Sequence, residues 1–68
     1  MLNRIFLTPK EVSDRYGGRI AIGTLANWRS AGTGPTFSRI GGKILYPLDA
    51  IVEWERKRTV QSTREYRS

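Results

Sequence analysis

Neither cysteine nor histidine occurs in this chain of 68 residues. Their absence removes disulfides, thiol chemistry, zinc-finger ligation and imidazole acid–base catalysis together. It also accords with a reducing cytoplasm, so a cytoplasmic location is expected. No apolar run approaches the roughly 18 residues that a membrane span needs. The opening stretch Met1–Leu7 has no small-residue cleavage site, so neither a leader nor a membrane partner is expected. Acids are scarce as well. Six Asp and Glu face twelve Lys and Arg, which gives a net charge of +6 and a pI near 10.6. So basic a domain points to a polyanionic partner. The length allows one domain with a thin core, since a chain of this size buries only about 60% of the surface it exposes when unfolded. Glu53 and Glu55 are near neighbours in sequence, but they fall on different faces of a helix and have no His, Cys or metal partner. No enzyme activity, cofactor, metal or small-molecule ligand is expected.

What the chain does have is helix punctuation. In Leu7-Thr8-Pro9-Lys10-Glu11-Val12, Thr8 suits an N-cap and Pro9 the first helical position. Glu11 completes a capping box, and Leu7 and Val12 occupy the staple positions. Val12 and Tyr16 share a face, and Gly17-Gly18 ends the helix. The first helix is therefore expected over Pro9–Tyr16. Ile22, Leu25 and Trp28 form a second helical stripe, expected to be buried. Gly32 and Pro35 close that helix, which is expected over Ile22–Ala31. Its cap is poor, because Ala21 stands where Ser or Asp is usual. Gly23 weakens its first turn by up to about 1 kcal/mol relative to Ala.

Thr36–Ile40 and Lys43–Tyr46 flank Gly41-Gly42, a pairing that suits a two-residue hairpin turn. Pro47 then breaks the strand, and Leu48, Ile51 and Trp54 set a third helix over Leu48–Arg58. Residues 59–68 are polar and lack periodicity, so they are expected to be a disordered basic tail after a domain spanning 1–58. Residues 56–68 hold five basic residues and one acid, a net of +4.

Helix, turn, helix, two-strand wing, helix is the order of a winged helix-turn-helix, mainly α with a small β-hairpin. In a helix-turn-helix the second helix enters the major groove and the first braces it. Here the second helix presents Gly23, Thr24, Asn27, Ser30 and Arg29 away from its apolar stripe. That face is small and polar and carries no acid, whereas solvated faces usually carry Glu, Lys and Gln. Asn pairs bidentately with adenine, Thr and Ser reach phosphates or base edges, and Gly23 lets the backbone approach the duplex. Arg39 and Lys43 bracket the Gly41-Gly42 tip, which suits a narrow minor groove; cations there also guard a hairpin edge against aggregation. Arg56, Lys57 and Arg58 are placed to reach the DNA backbone. Trp28, Tyr46 and Trp54 have the form of base-stacking platforms, but their register favours the core. Gly41-Gly42 lacks the spacing of a phosphate loop.

Taken together, Leu7-Thr8-Pro9-Lys10-Glu11-Val12, Thr24-Leu25-Ala26-Asn27-Trp28-Arg29, Gly32, Gly34-Pro35, Ile40-Gly41-Gly42-Lys43, Tyr46 and Trp54 resemble the excisionase-type winged helix-turn-helix family. This family comprises recombination directionality factors and small phage-type transcriptional regulators. The likeness covers about residues 5–58. It implies that the helix ending in Trp28-Arg29 lies in the major groove and the wing in the adjacent minor groove. It also implies tandem, cooperative binding that bends double-stranded DNA, with an integrase as partner on that DNA; separately, a module this small is expected to pack head to tail with its neighbours on the duplex. The chain departs from the family pattern in three places. Gly18 and Arg19 lengthen the turn, Ala21 replaces a polar cap, and Leu45 stands where the wing often carries a cation. Leu45 is therefore a candidate for contact with a neighbouring subunit. Excision of a mobile element is the leading expectation. Transcriptional regulation, a terminase-small-subunit-like module and a protein adaptor stand as alternatives, because fold does not fix role.

Overall fold

The computed structural model describes residues 5–59. They form a strand β1 (Phe6–Leu7), helices α1 (Pro9–Arg15) and α2 (Ile22–Ala31), strands β2 (Ser38–Ile40) and β3 (Lys43–Pro47), and helix α3 (Leu48–Arg58). Three helices thus surround a small antiparallel sheet in the order β1-β3-β2. None of these helices is long and apolar enough to cross a membrane. The expected tail, 59–68, lies outside the described residues apart from the exposed Thr59.

Local chemistry sets the helix ends. The Thr8 hydroxyl accepts from the Glu11 N–H at 3.1 Å, and the Thr8 N–H donates to the Glu11 carboxylate at 2.8 Å, so the capping box is complete. At the other end, the Gly18 N–H reaches the Ser13 carbonyl and the Gly17 N–H the Asp14 carbonyl, both at 2.9 Å. This is a Schellman closure, and it needs left-handed backbone, supplied by Gly17 at φ 65°. It stops α1 at Arg15, one residue before the expected end. α2 closes in the same way on Gly32, with the Thr33 N–H on the Trp28 carbonyl at 2.8 Å. The last turn of α3 carries Arg56, Lys57 and Arg58, which complement the negative end of the helix dipole.

The sheet has one strand more than the hairpin expected from sequence. Phe6 pairs with Pro47 and Leu7 with Tyr46, and the Leu48 N–H donates to the Ile5 carbonyl at 2.7 Å. A two-residue strand shows no alternation, so nothing in its own sequence announces it. The hairpin itself is shorter at its start, because Thr36 and Phe37 precede β2. Pro47 ends β3 rather than following it, where its missing N–H costs no ladder bond.

Four fully buried side chains make the core: Val12 from α1, Leu25 from α2, Tyr46 from β3 and Ile51 from α3. Trp28 and Trp54 are half-buried and tilted against each other at 5.6 Å, and Tyr16 meets the edge of Trp54 at 6.5 Å. The expected burial of Ile22 is corrected: it is 47% exposed. Steps of three residues drift about 60° backwards round a helix with 3.6 residues per turn. The core contact is centred on Leu25 and Trp28, so the drift carries Ile22 out of it.

α1 and α3 are also tied by charge. Arg15 donates to Glu55 through Nε at 2.6 Å and through a terminal nitrogen at 2.8 Å, and the Tyr16 hydroxyl donates to the same carboxylate at 2.6 Å. The Arg15 bonds, joined by that of Tyr16, hold the Glu55 carboxyl down at about 2, although partial burial opposes this. Burial first, and then the bond to Glu55, push the Tyr16 phenol up to about 12.

Two predictions follow from this packing. A depressed carboxylate contributes stability above its unfolded value, 4.5, and that contribution is lost as pH falls towards 2. Acid titration of thermal unfolding will therefore show a loss of stability between about pH 4.5 and 2 that Glu55→Gln largely abolishes; an unchanged acid limb in the variant refutes the assignment. Gly34 has φ 82°, and a Cβ there would lie 2.9 Å from the Trp28 Cβ and Cε3. Gly34→Ala is expected to cost about 2–4 kcal/mol in denaturant unfolding, from left-handed strain plus overpacking.

Candidate nucleic-acid interface

α2 turns Leu25 inward and leaves Ile22, Gly23, Ala26, Asn27 and Ser30 exposed along one side, with Thr24 half-buried at its border. Three of the residues expected on this face from sequence, Gly23, Asn27 and Ser30, form its centre at spacings of three and four. Ile22 and Ala26 also belong to it. Sequence reading missed them by counting Ile22, and Ala26 beside it, with the apolar stripe. The drift of a three-residue spacing was the available signal.

The start of α2 has no side-chain cap and no acid in its first turn. Its leading N–H groups therefore remain donors without a side-chain acceptor, as suits an approaching anion. Gly23 is unusual in lacking any internal reason to be glycine. Its φ is not positive, and a Cβ there would meet nothing within 4 Å.

Arg29 is not displayed with the others. Its guanidinium donates to the Tyr46 hydroxyl at 2.7 Å and lies 5.8 Å from the Phe37 ring centre and 6.0 Å from that of Tyr46. It is half-buried and fastens α2 to the base of the hairpin.

The hairpin turn is built as its glycines suggest, with Gly41 at φ 59° and Gly42 at φ 79°, the left-handed pair of a type I′ turn. Arg39 pairs with Ile44, and Ile40 pairs with Lys43. Paired residues share a face and successive residues alternate. Arg39 therefore lies on the side of Ile44, which packs against the core and shares its face with Tyr46, the partner of Arg29 in α2, and Lys43 on the far side with Leu45. The two cations are exposed but serve opposite faces of the hairpin. Ile40 is 49% exposed beside the tip.

The cations of α3 are placed separately. Arg56 pairs with Glu53 at 3.2 Å, and Arg58 covers Trp54 at 4.5 Å. Lys57 is exposed and borders an open cleft of about 760 Å³ between α3 and the strand-forming segment. Asp49 and Glu53 border the same cleft, so it mixes both signs of charge. No group of three or more acids stands close enough together to hold a metal among the described residues. Comparison with protein-family models, with curated proteins and with solved structures finds no match to this chain.

Proposed function

We propose that this chain is a sequence-specific double-stranded DNA-binding protein of the winged helix-turn-helix kind. In this reading α2 lies in the major groove and the β2–β3 hairpin is the wing in the adjacent minor groove. The observation that carries it is the exposed side of α2. It is small, free of acid, uncapped at its N-terminus, and contains a glycine that the fold itself does not need. Such a face is poorly designed for solvent and well suited to close approach by a backbone and its bases. The net charge of +6 supplies the attraction. Arg39, on the α2 side of the hairpin, and Lys43, on its far side, flank the tip as a wing in a minor groove requires.

Within that reading, the resemblance of the motifs to excisionases favours an architectural role. Protomers would sit in tandem on one duplex, bend it, and promote integrase-mediated excision of a mobile element. Transcriptional regulation through the same contacts is the neighbouring role, and stimulated excision in the presence of an integrase separates the two.

Gly23→Ala tests the central claim, because fold and function pull it in opposite directions. The variant is expected to gain up to about 1 kcal/mol of stability in thermal unfolding. On its selected DNA site it is expected to bind roughly tenfold more weakly, the loss of about one charge-assisted hydrogen bond. A stabilised variant with undiminished affinity removes α2 from the interface. Wild-type binding should fall with a log–log salt slope of about −4, from roughly four to five phosphate contacts; a slope near zero removes DNA as the partner. Titration onto duplexes with one, two and three sites should be cooperative, and Leu45→Glu should weaken that cooperativity. Leu45 is half-buried on the far side of the hairpin. Equal, independent filling of every site by the wild type eliminates tandem assembly.

A further inference from the structure

The chemistry of the exposed α2 side narrows which base pairs it can read, and this inference rests on the DNA-binding proposal above. The commonest specific contact to DNA is Arg or Lys bidentate to the O6 and N7 of guanine. Nothing on this side supplies it. The single cation of α2, Arg29, is bonded to the Tyr46 hydroxyl and laid beside two rings. What remains is one amide, Asn27, the hydroxyls of Ser30 and of Thr24 at the border, and two apolar side chains, Ile22 and Ala26. In the major groove the one apolar feature of any base edge is the 5-methyl group of thymine, and the natural partner of an amide is adenine.

A lone exposed apolar side chain is ordinary on a protein surface. Ile22 is distinguished by where it stands. It lies in the first turn of α2, the part of a recognition helix that contacts base edges. Ala26 follows it by one turn on the same row, and Asn27 is adjacent. Four residues rise about 6 Å along a helix, and base pairs stack about 3.4 Å apart. The Ile22–Ala26 row therefore spans about two base steps.

We propose that Ile22 and Ala26 read thymine methyl groups about two base pairs apart, beside an adenine held by Asn27, so that the recognition element is a short A·T segment without guanine contacts.

The experiment has two stages. Duplexes are first selected from a randomised pool with the full chain. Each thymine of the enriched site is then replaced singly by deoxyuridine, which removes the methyl group and leaves the hydrogen-bonding edge intact. Two thymines about two base pairs apart should each show a roughly fourfold loss of affinity, the value of about one buried methyl, and the remaining replacements should be silent. Ile22→Ala should abolish the loss at one of those thymines and leave the other. The side chain is 47% exposed, so this variant keeps the fold, and its unfolding transition verifies that. An enriched site with guanine at the α2-facing positions overturns the proposal while DNA binding stands. So does tolerance of every deoxyuridine, or an Ile22→Ala variant with the wild-type pattern of losses. Failure to enrich any duplex, with a salt slope near zero, overturns the DNA reading itself.

Discussion

Tyr46 is the side chain on which the rest of the architecture converges. Its ring belongs to one buried cluster with Val12, Leu25 and Ile51, a residue from each of the three helices. Its backbone pairs with Leu7 in β1, and its hydroxyl accepts from Arg29. A polar atom buried without a partner is costly, and among the described residues the Trp54 indole N–H is the one buried side-chain group left without one. The Arg29 bond lets a large, rigid aromatic group fill the centre while its one polar atom stays satisfied. The remaining contacts surround that point. The row Tyr16, Trp54 and Trp28 links the helices on one side, and the Arg15–Glu55 pair fastens α1 to α3 at the edge.

The helices were legible because their ends are chemically explicit. Thr8-Pro9 with Glu11 opens α1, Gly32 closes α2, and Pro47 precedes α3; the last two helices run over the residues that spacing predicts. The glycine pair marked the hairpin turn for the same reason. β1 was not legible, because two residues carry no period and their pairing with β3 is a tertiary event. The placements of Ile22 and Arg29 escaped for a common cause. Spacing says which residues share a stripe, but not where the stripe is centred when a neighbouring element approaches from one flank. β3 and Phe37 approach α2 on the Arg29 side and draw that cation inward.

The candidate face shows a division of labour that charge counting hides. In the proposed reading the long-range attraction comes from cations spread over the hairpin and α3, two of them already engaged: Arg56 with Glu53 and Arg58 over Trp54. The side of α2 itself carries no free charge, so discrimination there rests on shape and on neutral groups. Attraction between opposite charges is indifferent to sequence, whereas an amide and a methyl-sized contact are not. Under the proposed function, separating the two would allow weak, mobile association with any duplex and a distinct fit to one.

The bridge from Arg29 to Tyr46 and Phe37 has a geometric consequence. It joins the second helix to the base of the hairpin by a side chain whose guanidinium is held by a hydroxyl and two rings. Helix and hairpin therefore behave as the jaws of a calliper locked at one opening. A locked calliper measures the helix it grips. In the proposed reading its span corresponds to neighbouring major and minor grooves of B-form DNA. In an A-form helix the major groove is deep and narrow and the minor groove wide and shallow. In that reading the jaws would meet no two grooves at the same separation, and double-stranded RNA would be disfavoured by dimension before any base is read.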